Sequence, residues 1–231
     1  MRLTKIFLAV GFFGICLPIS ALEAQKVFSL GAIFDKAGDA LSHLKDRGEI
    51  RRVPKRVGHT VAFRGGKFLF DGRHLSLGGN MAIWKSTLGK GGECESKGIP
   101  PIVCKWEHLG IEIGSGSSDT DTVKFVTVHL QPPTDESLQR AARVGGGGEI
   151  PSYVIRGHFS GNLELEGFRI DQQTMFWEIR ESVRQSMVLR CDVRDCQFPH
   201  AAFNDIADIY FILNGNTVRS TVNSISISAD E

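Results

Sequence analysis

A short pattern that occurs twice constrains the fold of this chain more than any other feature. Residues 161–170 read Gly-Asn-Leu-Glu-Leu-Glu-Gly-Phe-Arg-Ile, and residues 66–75, ninety-five positions earlier, read Gly-Lys-Phe-Leu-Phe-Asp-Gly-Arg-His-Leu. Each copy places an acidic residue and a glycine between two apolar runs, Asp71-Gly72 in the first and Glu166-Gly167 in the second. Such a pair favours a tight β-hairpin, because the turn needs residues that tolerate positive φ.

Each hairpin precedes the same series of features. A helical stretch contains Trp84 in the first copy and Trp177 in the second, and a cysteine pair and a closing apolar hairpin follow. The two tryptophans are expected at matching places, where they pack the helix onto the sheet. The predicted fold is α+β. It has two tandem β-β-α-β-β units, each an antiparallel sheet with one covering helix, preceded by an N-terminal helix at residues 32–47.

The same pattern divides the chain into five segments. They are a signal peptide at residues 1–24, an N-terminal helix and basic linker at 25–65, a first repeat domain at 66–133, a Gly-rich connector at 134–157 and a second repeat domain at 158–231. Each repeat alone is near the lower size limit for a stable core, so the two are expected to pack on each other.

The N-terminus has the pattern of a secretory signal peptide. Arg2 and Lys5 precede an apolar run over residues 6–19, and small residues offer cleavage after Ala24 or Ala21. Glycine and proline interrupt the run, which is shorter than the roughly 20 residues of a membrane-spanning helix. The sequence therefore predicts export to the periplasm, with no stable membrane insertion after cleavage.

The charge of the exported chain is balanced. Cleavage removes Arg2, Lys5 and Glu23, which leaves 25 basic and 25 acidic residues. Proteins whose main partner is nucleic acid or an anionic membrane normally carry a basic excess. The balance therefore favours a protein partner and no nucleic acid.

Four cysteines remain after cleavage, one pair in each copy. In an oxidising compartment they predict two local disulfides, Cys94–Cys104 and Cys191–Cys196. Zinc is the alternative, because His108 and His200 each stand four residues after the second cysteine of a pair. No fourth ligand follows at conventional spacing, so we expect no metal and no cofactor.

The sequence shows no catalytic pattern. Cysteines paired in disulfides are not free thiolates, and no Gly-x-Ser-x-Gly motif occurs. Glu164 and Glu166 alternate along a strand, which is typical of a polar sheet face. The chain is therefore predicted not to be an enzyme, although a hydrolase whose site is scattered across the fold stays open as a third hypothesis.

Candidate partner contacts are exposed loops on a rigid scaffold and one aromatic anchor. They are Trp106, the hairpin-tip residues Ser115, Ser117, Asp119 and Asp121, and the basic residues Arg51 and Arg52.

Three stretches of the first copy resemble a bacterial domain family of unknown function that often occurs in tandem. They are residues 71–75 (Asp-Gly-Arg-His-Leu), 84–89 (Trp-Lys-Ser-Thr-Leu-Gly) and 106–111 (Trp-Glu-His-Leu-Gly-Ile), followed by a strand at 123–130. The resemblance covers residues 66–228. The second copy departs from it, since Ser182-Val183 replaces Leu-Gly and residues 203–207 replace the second tryptophan motif. The family supplies no catalytic residues.

Exported proteins of this kind also resemble the periplasmic immunity proteins of type VI and contact-dependent secretion toxins. That resemblance implies an exported binding or inhibitor protein that blocks a secreted antibacterial toxin enzyme. The alternative is a structural or assembly factor of the cell envelope.

Overall fold

Two β-sheets dominate the computed structural model of the chain. It describes residues 49–95, 102–116, 119–135, 138–139, 155–184, 186, 188–198 and 208–229. Residues Ile50–Glu231 form one unit and Met1–Glu49 another. The predicted signal peptide and the predicted helix at residues 32–47 lie outside the described residues.

Among the described residues, short strands alternate with two short helices. In chain order the strands are β1 (Thr60–Arg64), β2 (Lys67–Phe70), β3 (Arg73–Leu75), β4 (Glu93–Glu95), β5 (Val103–Trp106), β6 (Ile111–Ser115), β7 (Val123–His129), β8 (Asn162–Leu165), β9 (Phe168–Ile170), β10 (Arg190–Asp192), β11 (Asp195–Gln197), β12 (Asp208–Leu213) and β13 (Val222–Ser228). The helices are α1 (Met81–Leu88) and α2 (Phe176–Val183), and a 3-10 turn spans Glu107–Leu109.

The first sheet contains five strands in the order β3-β2-β1-β8-β9. β1 is antiparallel to β2 and parallel to β8, with Val61 opposite Phe70 on one side and opposite Leu163 on the other. The hairpins β2–β3 and β8–β9, one from each sequence copy, therefore lie on either side of β1.

The second sheet contains eight strands in the order β10-β11-β12-β13-β7-β6-β5-β4. β7 and β13 pair antiparallel in its middle, with Val128 opposite Ile225. β4–β7 come from the first copy and β10–β13 from the second, so this sheet is also shared by the two copies.

The predicted fold of two β-β-α-β-β units, each with its own sheet, is wrong. The structure is mostly β, with four strands after each helix and both sheets built from both copies. Two physical reasons explain the difference. The cysteine segments form hairpins of their own, β4–β5 and β10–β11. In addition, an isolated first copy would leave β1 and β7 as unpaired edges, and pairing with β8 and β13 removes both edges.

The two predicted turns are confirmed. Asp71 and Glu166 have φ values of 48° and 47°, and the following Gly72 and Gly167 have 78° and 87°. Positive φ at both central residues is the conformation of a type I′ hairpin turn, which matches the right-handed twist of its strands. These turns fix the register of β2–β3 and β8–β9.

The apolar faces of the sheets and the inner sides of the helices form one core. Trp84 on α1 stacks on Phe68 of β2 at 5.0 Å, and Phe176 on α2 lies 4.9 Å from Phe211 of β12. Trp84 is 1% exposed, whereas Trp177 is only partly buried. The expected match between Trp84 and Trp177 is therefore wrong.

The residue that matches Trp84 is Ile179. It stands ninety-five positions after Trp84, at the offset that relates the two hairpins, and it is fully buried. In each helix the side chain at this position faces the sheet and is buried, and any apolar residue can occupy it. No helix among the described residues has the length and apolar character needed to cross a membrane.

Candidate protein-binding face

The eight-stranded sheet has an apolar face and a polar face. Along β12 and β13 the residues Ile209, Phe211, Ile225 and Ile227 are buried in the core, and the residues between them point to the opposite side because side chains alternate along a strand. One row of neighbours across the polar face reads Asp192, Asp195, Tyr210, Ser226, Thr127, Glu112, Lys105 and Glu93. We refer to this side as the outward face.

Exposed apolar surface on the outward face is concentrated on β12. Tyr210 is 45% exposed and Ile212 is 56% exposed, whereas Ser224 and Thr127 of the middle strands are buried. The Tyr210 hydroxyl donates a hydrogen bond of 3.2 Å to Oδ2 of Asp208. We name the outward side chains Asp192, Asp195, Asp208, Tyr210 and Ile212 the Tyr210 face.

The sequence predictions missed the Tyr210 face, although a signal for it was present. Residues 208–213 read Asp-Ile-Tyr-Phe-Ile-Leu, which looks like a continuous apolar strand. Once Ile209 and Phe211 are assigned to the core, alternation places Tyr210 and Ile212 on the outward face. The sequence alone does not show that this side of β12 is exposed, because that depends on how the strands assemble into the sheets.

The structure brings the four cysteines together in the predicted pairs. Cys94–Cys104 joins β4 to β5, and Cys191–Cys196 joins β10 to β11, each pair directly opposite across the ladder with Cα atoms 3.9 Å apart. These hairpins are the two ends of the eight-stranded sheet. The disulfides therefore fasten both edges of the surface that carries the outward face.

Trp106 does not contribute to an exposed surface. The ring is 1% exposed, and its Nε1 donates to the carbonyl of Gly89 at 2.9 Å. Gly92 lies so close to the indole that any side chain there would collide with it. Trp106 is therefore a core residue that packs at the end of α1, and its ring is not exposed to a partner.

The predicted hairpin-tip loop is only partly accessible. Ser115 is buried and its Oγ accepts a hydrogen bond from Ile102 N at 2.9 Å, whereas Ser117 lies outside the described residues. Asp119 and Asp121 are exposed. Hydrogen bonds from Asp121 N and Thr122 Oγ1 hold the pKa of Asp119 below its ordinary value.

The two predicted basic contacts, Arg51 and Arg52, lie in different surroundings. Arg52 is exposed. The Arg51 guanidinium forms an ion pair with Asp171, and its backbone N–H donates to Oε1 of Glu178 at 3.0 Å. Asp171 and Glu178 are 6% and 5% exposed. We refer to residues 50–57 as the strap.

The charge of Asp171 depends on this contact. Burial alone would raise the pKa of its carboxyl group, but hydrogen bonds from Arg51, Gln173 N and Thr174 Oγ1 outweigh burial and lower it. The same contact raises the pKa of Arg51. Arg51 is thus committed to an internal ion pair, and Arg52 remains available to a partner.

A second contact fixes the other end of the strap. The backbone N–H of Arg56 donates to Oδ1 of Asn162, and the amide of Asn162 donates back to the Arg56 carbonyl, both at 2.6 Å. A shallow cleft lies between the strap and β8–β9, lined by residues such as Val53, Pro54 and Arg169. It encloses no space for a water-sized molecule, so it does not indicate a small-molecule ligand.

One Ser-His-acid set lies on the outward face but lacks catalytic geometry. Nε2 of His129 is buried without a hydrogen-bond partner in the described part of the chain, 3.8 Å from Oε2 of Glu112, and Ser224 is opposite His129 across the ladder. A separation of 3.8 Å is too long for the hydrogen bond that orients a catalytic base. Ser224 is 1% exposed, so a substrate could not reach its hydroxyl.

The described residues contain no group of three or more His, Cys, Asp or Glu side chains arranged to hold a metal ion. The cysteines of the zinc alternative are joined in disulfides, so their sulfur atoms are not thiolate ligands. The zinc interpretation therefore has no support in this part of the molecule.

Comparison with known proteins places the chain in a family but gives it no activity. No curated protein and no solved structure matches it. A family model described as a domain of unknown function, DUF7738, matches residues 60–180. That range contains every strand of the five-stranded sheet and ends before β10–β13. Because the match covers just over half of the 231 residues, the chain belongs to the DUF7738 family of domains of unknown function.

Proposed function

We propose that this protein is exported and acts in the periplasm as a binding or inhibitor protein, most concretely as an immunity protein that blocks a secreted antibacterial toxin. The observation that carries the proposal is the Tyr210 face. Exposed apolar surface surrounded by polar residues often marks a protein interaction site, and Tyr210 and Ile212 expose neighbouring apolar surface on one side of β12. Tyrosine at the centre of a polar surround is also typical of protein interfaces.

Two further features support this proposal. Disulfides persist mainly in oxidising compartments, and this chain has two. A small protein that must meet a folded enzyme needs a preorganised surface, because ordering flexible groups on binding reduces affinity. Disulfides at both ends of the eight-stranded sheet restrict the motion of that surface.

The alternative function is a structural or assembly factor of the cell envelope. The same exposed face and the same disulfides would suit such a factor, so the two functions differ in what happens when the gene is removed. Loss of an immunity protein harms a cell only when a sibling delivers the toxin. Loss of an assembly factor harms a cell growing alone.

Competition between siblings tests the proposal. A deletion strain is mixed with the unmodified strain on a surface, and its survival is counted with and without a complementing copy of the full chain. An immunity function predicts that deletion lowers survival at least about tenfold and that siblings unable to secrete toxins do not kill. It also predicts that a copy lacking residues 1–24 fails to rescue. Equal survival in all mixtures, or an envelope defect in pure culture, would reject immunity.

A further inference from the structure

The apolar centre of the Tyr210 face lies among carboxylates. Asp195 of β11 is directly opposite Tyr210, and Asp208 accepts the hydrogen bond from its hydroxyl. Asp192 of β10 is directly opposite Asp195. Tyr210 and Ile212 thus form an exposed centre, with two acidic side chains toward the sheet edge and a third two residues earlier on the same strand.

The pair Asp192–Asp195 makes an unfavourable contact that the first copy avoids. Like charges directly opposite each other on neighbouring strands destabilise a sheet. At the same place beside the other disulfide, the first copy has Glu95 opposite Val103. The second copy therefore places two carboxylates opposite each other where the first copy has only one, which concentrates negative charge at this edge of the sheet.

Acidic residues also predominate over the rest of the outward face. Its acidic positions on the described strands are Glu93, Glu95, Glu112, Asp192, Asp195 and Asp208, and its basic positions are Lys105 and Arg190. Nζ of Lys105 lies 3.2 Å from Oε1 of Glu107, so its charge is already paired. Arg194, in the turn between β10 and β11, donates to Asn216 at 3.3 Å.

This acidic excess is a property of the face and not of the whole chain. The full chain has 27 basic and 26 acidic residues, for a net charge of +1. Charge complementarity speeds association and selects partners, so an acidic face fits a partner surface of positive charge. Enzymes that act on polyanionic substrates carry such basic clefts.

We propose that the Tyr210 face binds a positively charged surface on the secreted partner enzyme. Tyr210 and Ile212 bury their apolar surface at the centre, and Asp192, Asp195 and Asp208 pair with lysine or arginine side chains around it. This inference rests on the proposed immunity function and adds the binding surface and the charge of the partner. The face lies outside residues 60–180, so the family match does not imply it.

Complementation of the deletion strain by variants tests the inference. Tyr210→Ala removes the exposed ring, and the double variant Asp195→Lys/Asp208→Lys reverses the charge beside it. The matched control is Glu49→Lys/Asp135→Lys, which reverses two exposed carboxylates outside the strands of both sheets. We expect each face variant to lower sibling survival at least about tenfold, and the control to protect as well as the unchanged chain.

A milder variant separates binding from folding. Asp195→Asn removes the like-charge contact with Asp192 without adding bulk, so it should raise the midpoint of thermal unfolding of the purified mature chain. The same variant should weaken protection. A change that only damaged the fold would lower both the midpoint and the protection.

The outcomes distinguish the two proposals. If the unchanged chain fails to rescue the deletion strain, the immunity function is rejected, and this inference with it. If the unchanged chain and all face variants rescue equally, the immunity function stands and the Tyr210 face is not its binding surface. If the Glu49/Asp135 control also loses protection, the inference is overturned, because reversing charge outside the Tyr210 face would then have the same effect.

Discussion

The two halves of the molecule share a backbone plan but stabilise it with different chemistry. In the first half Asn80 caps the N-terminus of α1, with its Oδ1 accepting from Ala82 N at 2.8 Å, and Trp84 fills the core. In the second half Met175 stands at the cap and Ile179 at the core position. The first half therefore depends on a capped helix and a large aromatic ring.

The second half depends on charge instead. Where α1 exposes Ile83, α2 buries Glu178, and where the first half has Ser76 the second has the buried Asp171. A buried carboxylate needs compensation. Arg51 and Arg56 of the strap both pair with Asp171, and the Arg51 backbone N–H donates to Glu178. The two halves thus show that strand pairing determines the backbone arrangement. Each helix can then be stabilised against the sheet either by apolar packing or by an ion pair.

The largest effect should follow from truncating the aromatic core of the first half. Trp84→Ala should lower the free energy of unfolding by about 3–5 kcal/mol, because it removes a buried ring and leaves a cavity. Trp177→Ala, which removes the tryptophan of α2, should cost less than about 1 kcal/mol because that ring is partly exposed. Urea unfolding of both variants measures the difference. Equal losses would contradict the assignment of Trp84 to the core.

The second-largest loss of stability should follow from removing the disulfides. Replacing Cys94 and Cys104 by serine opens a loop of 10 residues, and replacing Cys191 and Cys196 opens one of 5. The chain-entropy estimate gives losses of about 2.7 and about 2.1 kcal/mol. The first loss should be enlarged further, because β4 lies next to the segment that covers Trp106. Thermal unfolding combined with tryptophan fluorescence checks the order, and a larger loss in the second half would contradict it.

The ion pair of the second half should have a smaller effect that depends on pH. Arg51→Ala removes the nearer of the two arginines that pair with Asp171, while Arg56 Nη2 stays 3.6 Å from Oδ2. The change should cost about 1–2 kcal/mol at pH 7, a value reduced for the partial exposure of Arg51. The control Arg52→Ala should cost less than about 0.5 kcal/mol. Because the folded pKa of Asp171 lies below its ordinary value of 3.8, this stabilisation is present above that pH and is lost as the pH falls further.

Urea titrations at pH 7 and near pH 3 measure the pH dependence. The difference in unfolding free energy between the unchanged chain and Arg51→Ala should shrink at the lower pH. A difference that grows on acidification, or an equal loss in the Arg52 control, would show that Asp171 is not the partner of Arg51.

The smallest effect should come from the helix cap. Asn80→Ala removes the oxygen that accepts from Ala82 N and should cost about 1 kcal/mol. Met175→Ala, at the same position of α2, removes no cap oxygen and should change stability less. Thermal unfolding of both variants measures the difference. Equal losses of stability would show that the Asn80 side chain does not stabilise α1 more than Met175 stabilises α2.

The local parts of the fold could be predicted from sequence because the information is local. The turns at Asp71-Gly72 and Glu166-Gly167 follow from the conformational freedom of those residues, and the cysteine pairs follow from their place in each copy. The pairing of β1 with β8 and of β7 with β13 could not be predicted, because strands of similar alternation offer several compatible edges.

The candidate site was less predictable than the fold. Trp106 has the composition of an interface anchor, but the approach of Gly92 to its ring buries it, and this approach depends on the β4–β5 hairpin. Arg51 looked like part of a basic surface, but Asp171, 120 residues away, binds it. Tyr210 was missed because the exposed side of β12 is known only after the strands are assembled into the sheets.

The central claim is that the two sequence copies share both sheets and so form one rigid scaffold. Thr127 of β7 and Ser226 of β13 are directly opposite, with their hydroxyl oxygens 3.0 Å apart. In the variant Thr127→Cys/Ser226→Cys, mild oxidation should form a third disulfide, which non-reducing peptide mapping would identify. The control Thr127→Cys/Ser224→Cys, displaced by two residues, should not cross-link within the monomer. No cross-link at 127–226, or equal cross-linking in the control, would contradict the shared sheet.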